Sequence, residues 1–384
     1  MLEWPGDPPD EISDSFPSSA GVIVTLKGFL LGMVAAISLD TAVAADIDAV
    51  IDRALQKQSI PGVSAVVVRD DEVLYSGGRG VADIESGRAM DDETVMYIGS
   101  LSKILTAVLA LRQVENGRLA MTDTLNRQPP ITVLDLLTHQ SGLPREGEFG
   151  YWFSGEFPDT PTLTDYVDRV PLQFKPGSRT RYSNIGYAAL GAFVADRANQ
   201  DFETLLRTRV LEPLGMKDSG ARGPAPGGAT AYTPPGRLIP DSERPFAGVG
   251  AAIDGRHVRV YHDAGAMSPA FGAYSTARDM GRLLVFLLGN GGEEVLSQEM
   301  RARMYEPVAS NRGLGLRMES LDGRRVARHG GWFAGYRSHL LLEPARGIGI
   351  VVLANSDSSS PDALADQIFR TIVQSRVAVR LEWR

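Results

Sequence analysis

The sequence predicts an α/β (α+β) fold in which both ends of the chain build one antiparallel sheet, helices flank it, and an all-helical lobe is inserted between the ends. Three observations predict it. Runs that read as strands occur early, at 63–68 and 72–75, and return late, at 326–329, 336–342 and 348–353. The stretch between, Ser100 to about Met304, is mostly of helical period and is broken by Pro/Gly-rich loops. Amphipathic helical segments bracket the strands, at Asp46–Ile60 and Asp362–Gln374. With 384 residues, 43% hydrophobic and 22% charged, the composition is that of a globular chain with a sizeable core.

The elements follow in order. Gly28–Leu39 is apolar, preceded by Lys27 and followed by small residues to Ala45, which is the form of a secretory signal. It falls short of the roughly 20 residues a membrane span needs. The expectation is a leader over 1–45, cleaved after Ala44 or Ala45, and a periplasmic or secreted product with no stable membrane span after processing. Residues 1–23 carry Glu3, Asp7, Asp10, Glu11 and Asp14 and no base, where a signal is basic, so the true start is expected near Val22–Leu26. The plain alternative is an uncleaved anchor or a buried apolar helix. Residues 46–384 then form a single domain of two lobes, a sheet lobe from 46–99 and about 305–384, and a helical lobe over about 100–304. A cleft between lobes is the default site. Pro61 stops the first helix, Asp70-Asp71 turns the first hairpin, and clear loops lie at 128–130, 144–161 and 223–245.

Composition excludes several chemistries. Cysteine is absent, which removes disulfides, thiolate metal sites, iron–sulfur clusters and a cysteine nucleophile. The net charge is −8 and supplies no basic field for nucleic acid. Residues 1–45 hold one base and six acids, so the remainder carries only −3. Lysine is scarce: Lys27, Lys57, Lys103, Lys175 and Lys217 are the only five among 39 basic residues.

One of those lysines stands out. Tyr97-Ile98-Gly99-Ser100-Leu101-Ser102-Lys103 opens a predicted helix, Ser100–Glu115, and puts Ser100 and Lys103 on one face. Ser100 falls in the first turn, where free N–H groups favour developing negative charge. A serine hydroxyl needs a base to become a nucleophile, and a lysine serves only if desolvation keeps it neutral. The residues around Lys103, Ile104, Leu105, Ala107, Val108, Leu109 and Ala110, are apolar. An unpaired ammonium there is costly unless the site uses it. The plain alternative is a helix start with a surface lysine.

Arg181-Tyr182-Ser183-Asn184 precedes an apolar helix, Ile185–Arg197. Its phenol can relay protons and its amide can hold an acyl group; alternatively Ser183 or Asn184 simply caps the helix. His329-Gly330-Gly331-Trp332 is read as ending one strand and starting the next. Its glycines admit a close approach, and the N–H after them can serve an oxyanion; alternatively they form a hairpin bend. His257, His262 and Asp263 lack metal-ligand spacing, so no metal is expected. His139 reads as structural. No Gly-x-Ser-x-Gly elbow and no nucleotide loop is present, so no cofactor and no nucleic-acid partner is expected. Tyr151-Trp152-Phe153 can wall a pocket or pin its loop.

In order, Ser-x-x-Lys, Tyr-x-Asn about 80 residues on and His-x-Gly about 145 after that resemble the three motifs of the penicillin-recognising serine hydrolases. The likeness is to the serine β-lactamase-like family: class C β-lactamases, family VIII-type carboxylesterases, D-aminopeptidases and DD-carboxypeptidases. The segments 131–144, 211–216, 273–279 and 335–338 resemble recurrent phrases of that family, and the likeness spans roughly 46–372. It implies a β-lactamase/DD-peptidase-like fold. It further implies Ser100 as acylated nucleophile and Lys103 with Tyr182 as its base system, Tyr182 also activating the deacylating water. Asn184 then binds the acyl part, the N–H groups of Ser100 and Trp332 form the oxyanion hole, and His329, Gly330 and Gly331 line the substrate site. His329 stands where class C β-lactamases have a lysine, so less charge meets a substrate carboxylate. The implied activity is a serine hydrolase acting on small-molecule esters or small D-amino-acid amides. The alternatives are a β-lactamase or DD-carboxypeptidase, and an inactive β-lactam-binding or scaffold protein.

Overall fold

The structure, a computed structural model, describes residues 42–381 apart from 152–154, 223–226, 236–251, 254, 258–262 and 334. The chain divides into two units, Met1–Val43 and Ala44–Arg384, and the fold is that of the second. The apolar run at 28–39 lies outside the described residues, and among those described no helix is long and apolar enough to cross a membrane.

Eleven strands are present among the described residues. In chain order they are β1 (Gly62–Arg69), β2 (Glu72–Asp83), β3 (Arg88–Ala89), β4 (Met96–Tyr97), β5 (Ala252–Ile253), β6 (Arg256–His257), β7 (Tyr274–Ser275), β8 (Arg317–Leu321), β9 (Arg324–Phe333), β10 (Tyr336–Glu343) and β11 (Ile348–Ala354). The helices that matter here are α1 (42–58), α2 (Ser102–Glu115), α3 (Val133–Leu137), α4 (Thr160–Arg169), α5 (Asn184–Ala198), α6 (Phe202–Leu206), α7 (Ala277–Leu287), α8 (Gln298–Arg303) and α9 (Pro361–Leu381). Seven strands make one antiparallel sheet in the order β3-β2-β1-β11-β10-β9-β8. The early hairpin therefore joins the late meander through β1 and β11, with Val63 opposite Ala354 and Arg69 opposite Ile348.

These two central strands explain why the sequence reads as apolar runs there. GVSAVVVR and IGIVVLA are buried almost throughout, because helices cover both faces of the sheet. α7 packs on β1 and β11, and α9 packs on β10 and β11. Gly281 of α7 lies against Val66, and Gly349 of β11 lies against Leu284 and Val68. Buried Asn355 clasps the joint. Its Oδ1 accepts from Gly62 N at 2.8 Å, and its Nδ2 donates to the carbonyls of Val81, Ala82 and Thr230.

The middle of the chain differs from its prediction in two respects. It carries short strands that were not expected there, β7, which pairs with β4 just ahead of the helical stretch, and the ribbon of β5 with β6. And α7, within the stretch assigned to the helical lobe, packs on the sheet. Two-residue ribbons give no period to read, and an amphipathic helix does not declare which layer its apolar face meets. The first helix ends at residue 58, two before the expected limit, because Ser59 turns the chain with φ +52°.

The α7–sheet contact yields a stability prediction. A Cβ on Gly281 would come 2.9 Å from a Val66 methyl. Gly281→Leu is expected to cost about 1–3 kcal/mol through overpacking. Chemical denaturation checks it, and an unchanged midpoint would show that the helix can retreat from the sheet.

Candidate active site

The cleft is built where α2 begins. Ile98 N donates to Ala273 O at 3.0 Å, fixing the end of β4 against the chain after the π-helical turn Ser268–Gly272. Gly99, with φ +52°, turns the chain into a single 3₁₀ turn, Gly99–Leu101. Ser100 thus sits just ahead of α2, not within it as predicted. Ser102 holds this turn: its Oγ donates to Gly99 O at 2.6 Å and accepts from Ala273 N at 3.0 Å.

Lys103 lies one turn on and is fully buried, at 0% exposure. Its Nζ donates to Ala270 O at 2.6 Å and Asn184 Oδ1 at 2.7 Å, and lies 3.3 Å from Ser100 Oγ. Tyr182 OH donates to the same serine oxygen at 2.7 Å. Ser183 caps α5 by accepting from Gly186 N at 2.8 Å, so Asn184 is the first helical residue and points back at Lys103.

The far wall is β9. His329, Gly330, Gly331 and Trp332 all lie inside this one strand, opposite Leu340, His339, Ser338 and Arg337 of β10. The reading of these four as the junction of two strands is corrected: the chain turns only after Phe333. Glycine at 331 serves contact rather than bending. A Cβ there would fall 2.1 Å from Ile98 O and from Ser338 Oγ, and a Cβ on Gly99 would fall 2.4 Å from Trp332 N. The turn carrying Ser100 therefore presses directly on the Trp332 N–H edge. The Trp332 indole is 39% exposed at the mouth, and its Nε1 donates to Asp357 at 3.0 Å.

With this geometry in place, comparison with known proteins is informative. The sequence profile of the Beta-lactamase family matches residues 47–374. The chain belongs to the β-lactamase family, whose members are hydrolases. It is 31% identical over 370 residues to esterase EstB of Burkholderia gladioli, covering 84% of this chain and 93% of EstB. Among solved structures it resembles EstCE1, described as a hydrolase with promiscuous acyltransferase activity, with a TM-score of 0.73 at 21% identity over 87% of this chain and 99% of that one. It also resembles the D-alanine carboxypeptidase AmpC of Burkholderia cenocepacia, with a TM-score of 0.69 at 22% identity over 86% and 99% of the two chains. At such identities these likenesses speak for the fold.

The electrostatics of this β-lactamase-family site follow from burial. Desolvation holds the Lys103 amine well below its ordinary pKa, the negative charge of Glu146 only partly opposing it. Its two short bonds use two N–H groups, so the third direction, toward Ser100 Oγ, is open to the lone pair of a neutral amine. Burial pushes the Tyr182 phenol up to about 12, which keeps its proton on and makes it a donor to Ser100. Burial brings His329 down to about 3, so this imidazole is neutral and brings no charge to the cleft.

The structure brings Ser100, Lys103, Tyr182, Asn184, His329, Gly331 and Trp332 together around one cleft, with Gly330 beside them on β9. It also adds partners that the sequence reading missed. The carboxylate of Glu146 can only accept, which turns the Asn184 amide so that its oxygen meets an N–H of Lys103. Its Oδ1 faces Lys103 and its Nδ2 donates to Glu146 Oε1 at 2.6 Å. Asn184 is thus engaged on both sides within the protein, leaving one N–H for an acyl group. Tyr151 OH donates to Glu146 Oε2, and its ring stacks on Phe157 at 4.8 Å, so Tyr151 both pins its loop and reaches the site. Trp152 and Phe153 lie outside the described residues. His139, read as structural, accepts from Ser183 N at 3.2 Å and lies 4.6 Å, ring to ring, behind Tyr182. Arg145 and Arg312 stand 5.6 and 5.7 Å from the Tyr182 ring centre. His139 lies in the recurrent phrase 131–144 and Tyr151 in the aromatic triple read as a possible wall, whereas Arg145, Glu146 and Arg312 belong to no period or motif. Among the described residues no group of three or more His, Asp or Glu can hold a metal; His262 and the His257 side chain lie outside them.

The neutral histidines give a pH prediction. His139, His329 and His339 are buried, and desolvation lowers the pKa of each, His329 to about 3 and His339 to about 4. A depressed base binds its proton in the unfolded chain first, so folding stability is full above about pH 6.5 and falls as the pH drops. Each histidine adds a slope of up to about 1.4 kcal/mol per pH unit between about 6 and 5. Denaturation midpoints at pH 7 and pH 5 measure it, and His329→Gln is expected to flatten the dependence. Equal slopes in the two proteins would mean that His329 takes up its proton in the folded state.

Proposed function

We propose that the protein is a serine hydrolase that works through an acyl-enzyme on Ser100, with carboxylic esters or small D-amino-acid amides as substrates. The observation that carries this is the pair of groups on one oxygen: Lys103 Nζ at 3.3 Å and Tyr182 OH at 2.7 Å from Ser100 Oγ, with the amine desolvated. Neutral Lys103 accepts the serine proton as Oγ attacks the carbonyl carbon. The N–H groups of Ser100 and Trp332, brought close by the backbone contact that Gly99 and Gly331 allow, receive the oxyanion. Collapse expels the alcohol or amine, which takes a proton from Tyr182, itself replenished from Lys103. Water then enters, gives its proton to the same pair and hydrolyses the acyl-enzyme.

Esters are favoured by the identity with esterase EstB, and by the neutral His329, which gives a β-lactam carboxylate no charge to meet on β9. The second reading, a β-lactamase or DD-carboxypeptidase, draws on the family itself and on the fold shared with AmpC. A non-catalytic scaffold would not need a desolvated amine aimed at a serine. The apolar run 28–39 and the small residues after it support export to the periplasm or beyond, which N-terminal sequencing of the mature protein tests.

A substrate panel tests the reading. kcat/KM on a short p-nitrophenyl ester, a D-alanyl amide and a cephalosporin ranks the classes, and intact mass after fluorophosphonate treatment looks for the adduct on Ser100. Ser100→Ala is expected to abolish turnover and labelling. Lys103→Ala and Tyr182→Phe are each expected to lower kcat by about 10²–10⁴-fold, the usual worth of general acid–base catalysis. Because protonation of Lys103 removes the base, activity is expected to fall as the pH drops. Full activity in Ser100→Ala would sink the assignment.

A further inference from the structure

His139 holds the chain on both sides of Tyr182. Its carbonyl accepts from Arg181 N at 2.8 Å, and its imidazole Nδ1 accepts from Ser183 N at 3.2 Å. The residues before and after the tyrosine are thus fixed by one residue, and the tyrosine's place follows from theirs. The same imidazole packs on the phenol ring, 4.6 Å between centres and tilted by 34°. On the imidazole in turn lies the ring of Tyr187, at 4.9 Å, whose hydroxyl donates to Leu137 O at 2.8 Å. A continuous line of contacts therefore runs from the end of α3, through two buried rings, to the hydroxyl that donates to Ser100 Oγ at 2.7 Å.

The backbone at His139 is strained to make this hold. Its φ is +59°, in the left-handed region that residues other than glycine seldom enter. Such a conformation persists only where the surroundings over-determine it, and it gathers at functional sites. Here the neighbours are tied as well: Thr138 Oγ1 donates to Leu134 O at 2.7 Å, and Gly177 N donates to Gln140 O at 3.0 Å. In this conformation the carbonyl and the ring of His139 both face residues 181–183. Burial keeps the imidazole neutral, so Nδ1 retains the lone pair that the Ser183 N–H needs. A side chain that merely filled space would need neither the nitrogen nor the strain.

We propose that His139 is the positioning residue of Tyr182, holding the phenol where it meets Ser100 Oγ and protonates the departing alcohol or amine. This rests on the serine-hydrolase reading and deepens it. As Oγ bonds to the carbonyl carbon its proton passes to Lys103. The leaving atom takes the proton of Tyr182, and Tyr182 regains one from Lys103. His139 exchanges no proton; it acts through the placement of the phenol. A loosened phenol costs most where the leaving group needs its proton most. p-Nitrophenolate departs unaided, phenolate less readily, and trifluoroethoxide depends on being protonated.

The experiment measures kcat/KM, which reports acylation, on p-nitrophenyl, phenyl and trifluoroethyl acetate. His139→Gly accepts the left-handed backbone while removing both ring and nitrogen. It is expected to lower kcat/KM on trifluoroethyl acetate by about tenfold more than on p-nitrophenyl acetate. Tyr182→Phe is expected to tilt the series further in the same direction. Adding His139→Gly to Tyr182→Phe is expected to cost no more than about threefold again, because two residues that act through one group are not additive. His139→Asn tolerates the same backbone and puts an amide oxygen near the place of Nδ1, so it is expected to leave an intermediate tilt. A loss equal on all three esters, or losses that multiply in full in the double variant, overturns the proposal. Should His139→Gly fail to fold, His139→Asn carries the same comparison, and an untilted series overturns the proposal there too. A crystal structure of the folded variant reads the phenol directly: a Tyr182 hydroxyl still 2.7 Å from Ser100 Oγ overturns the proposal whatever the substrate. Absence of a fluorophosphonate adduct on Ser100 would overturn the hydrolase reading instead, and that separation would still decide on His139.

Discussion

Everything in the cleft is arranged around one desolvated amine. Lys103 has no exposure, so each direction of its Nζ must find an oxygen, and three different stretches of chain provide one. The 3₁₀ turn offers Ser100 Oγ, the start of α5 offers Asn184 Oδ1, and the π-helical turn offers Ala270 O. An amine left without these partners would draw in water or unfold its surroundings. The same three oxygens place α2 against α5 and against the chain leading to β7. The chemical site and the core of the molecule are therefore one object. The apolar residues around Lys103 hold the helix and keep its pKa low at once.

The second wall depends on glycine. At 99 and 331 the two sides of the cleft meet backbone to backbone, closer than any Cβ allows. Ser338 Oγ, donating to Ile98 O at 2.7 Å, closes the same seam from β10. The distance from the serine turn to the Trp332 N–H is thus set by main-chain contact, which does not relax as side chains do. An electrostatic site works by such rigidity: its dipoles are already aimed before a substrate arrives.

Much of this was legible in the sequence, and the reason differs by residue. The sheet was visible because β1 and β11 are central and buried on both faces, which forces runs of valine, isoleucine and leucine. Ser100 and Lys103 were visible because a lysine in an apolar helix is chemically expensive and rare in this chain. Tyr182 and Asn184 were placed by the turn before an apolar helix and by order along the chain. Glu146, Arg145 and Arg312 were not visible, because loops carry no period and their side chains meet only after folding. His139 illustrates the limit: it read as structural, and only the fold shows that Tyr182 leans on it. The His329–Trp332 stretch was misplaced because paired glycines usually mark a bend, whereas here they admit a neighbouring backbone to the middle of a strand.

The Asn355 clasp has a consequence for how the molecule comes into being. It joins Gly62 to a residue 293 positions later, and β1 has no central-strand neighbour other than β2 until β11 is present. A nascent chain emerging from the ribosome therefore carries the serine turn and the whole helical segment long before β9, β10 and β11 exist to close the sheet. The apolar faces of β1 wait uncovered through most of synthesis, until α7 and then β11 are made. Such long-range closure is intrinsically slow, and it leaves the half-made chain open to capture by chaperones or by its own kind. The cleft assembles last, when the carboxyl-terminal strands return to the first one.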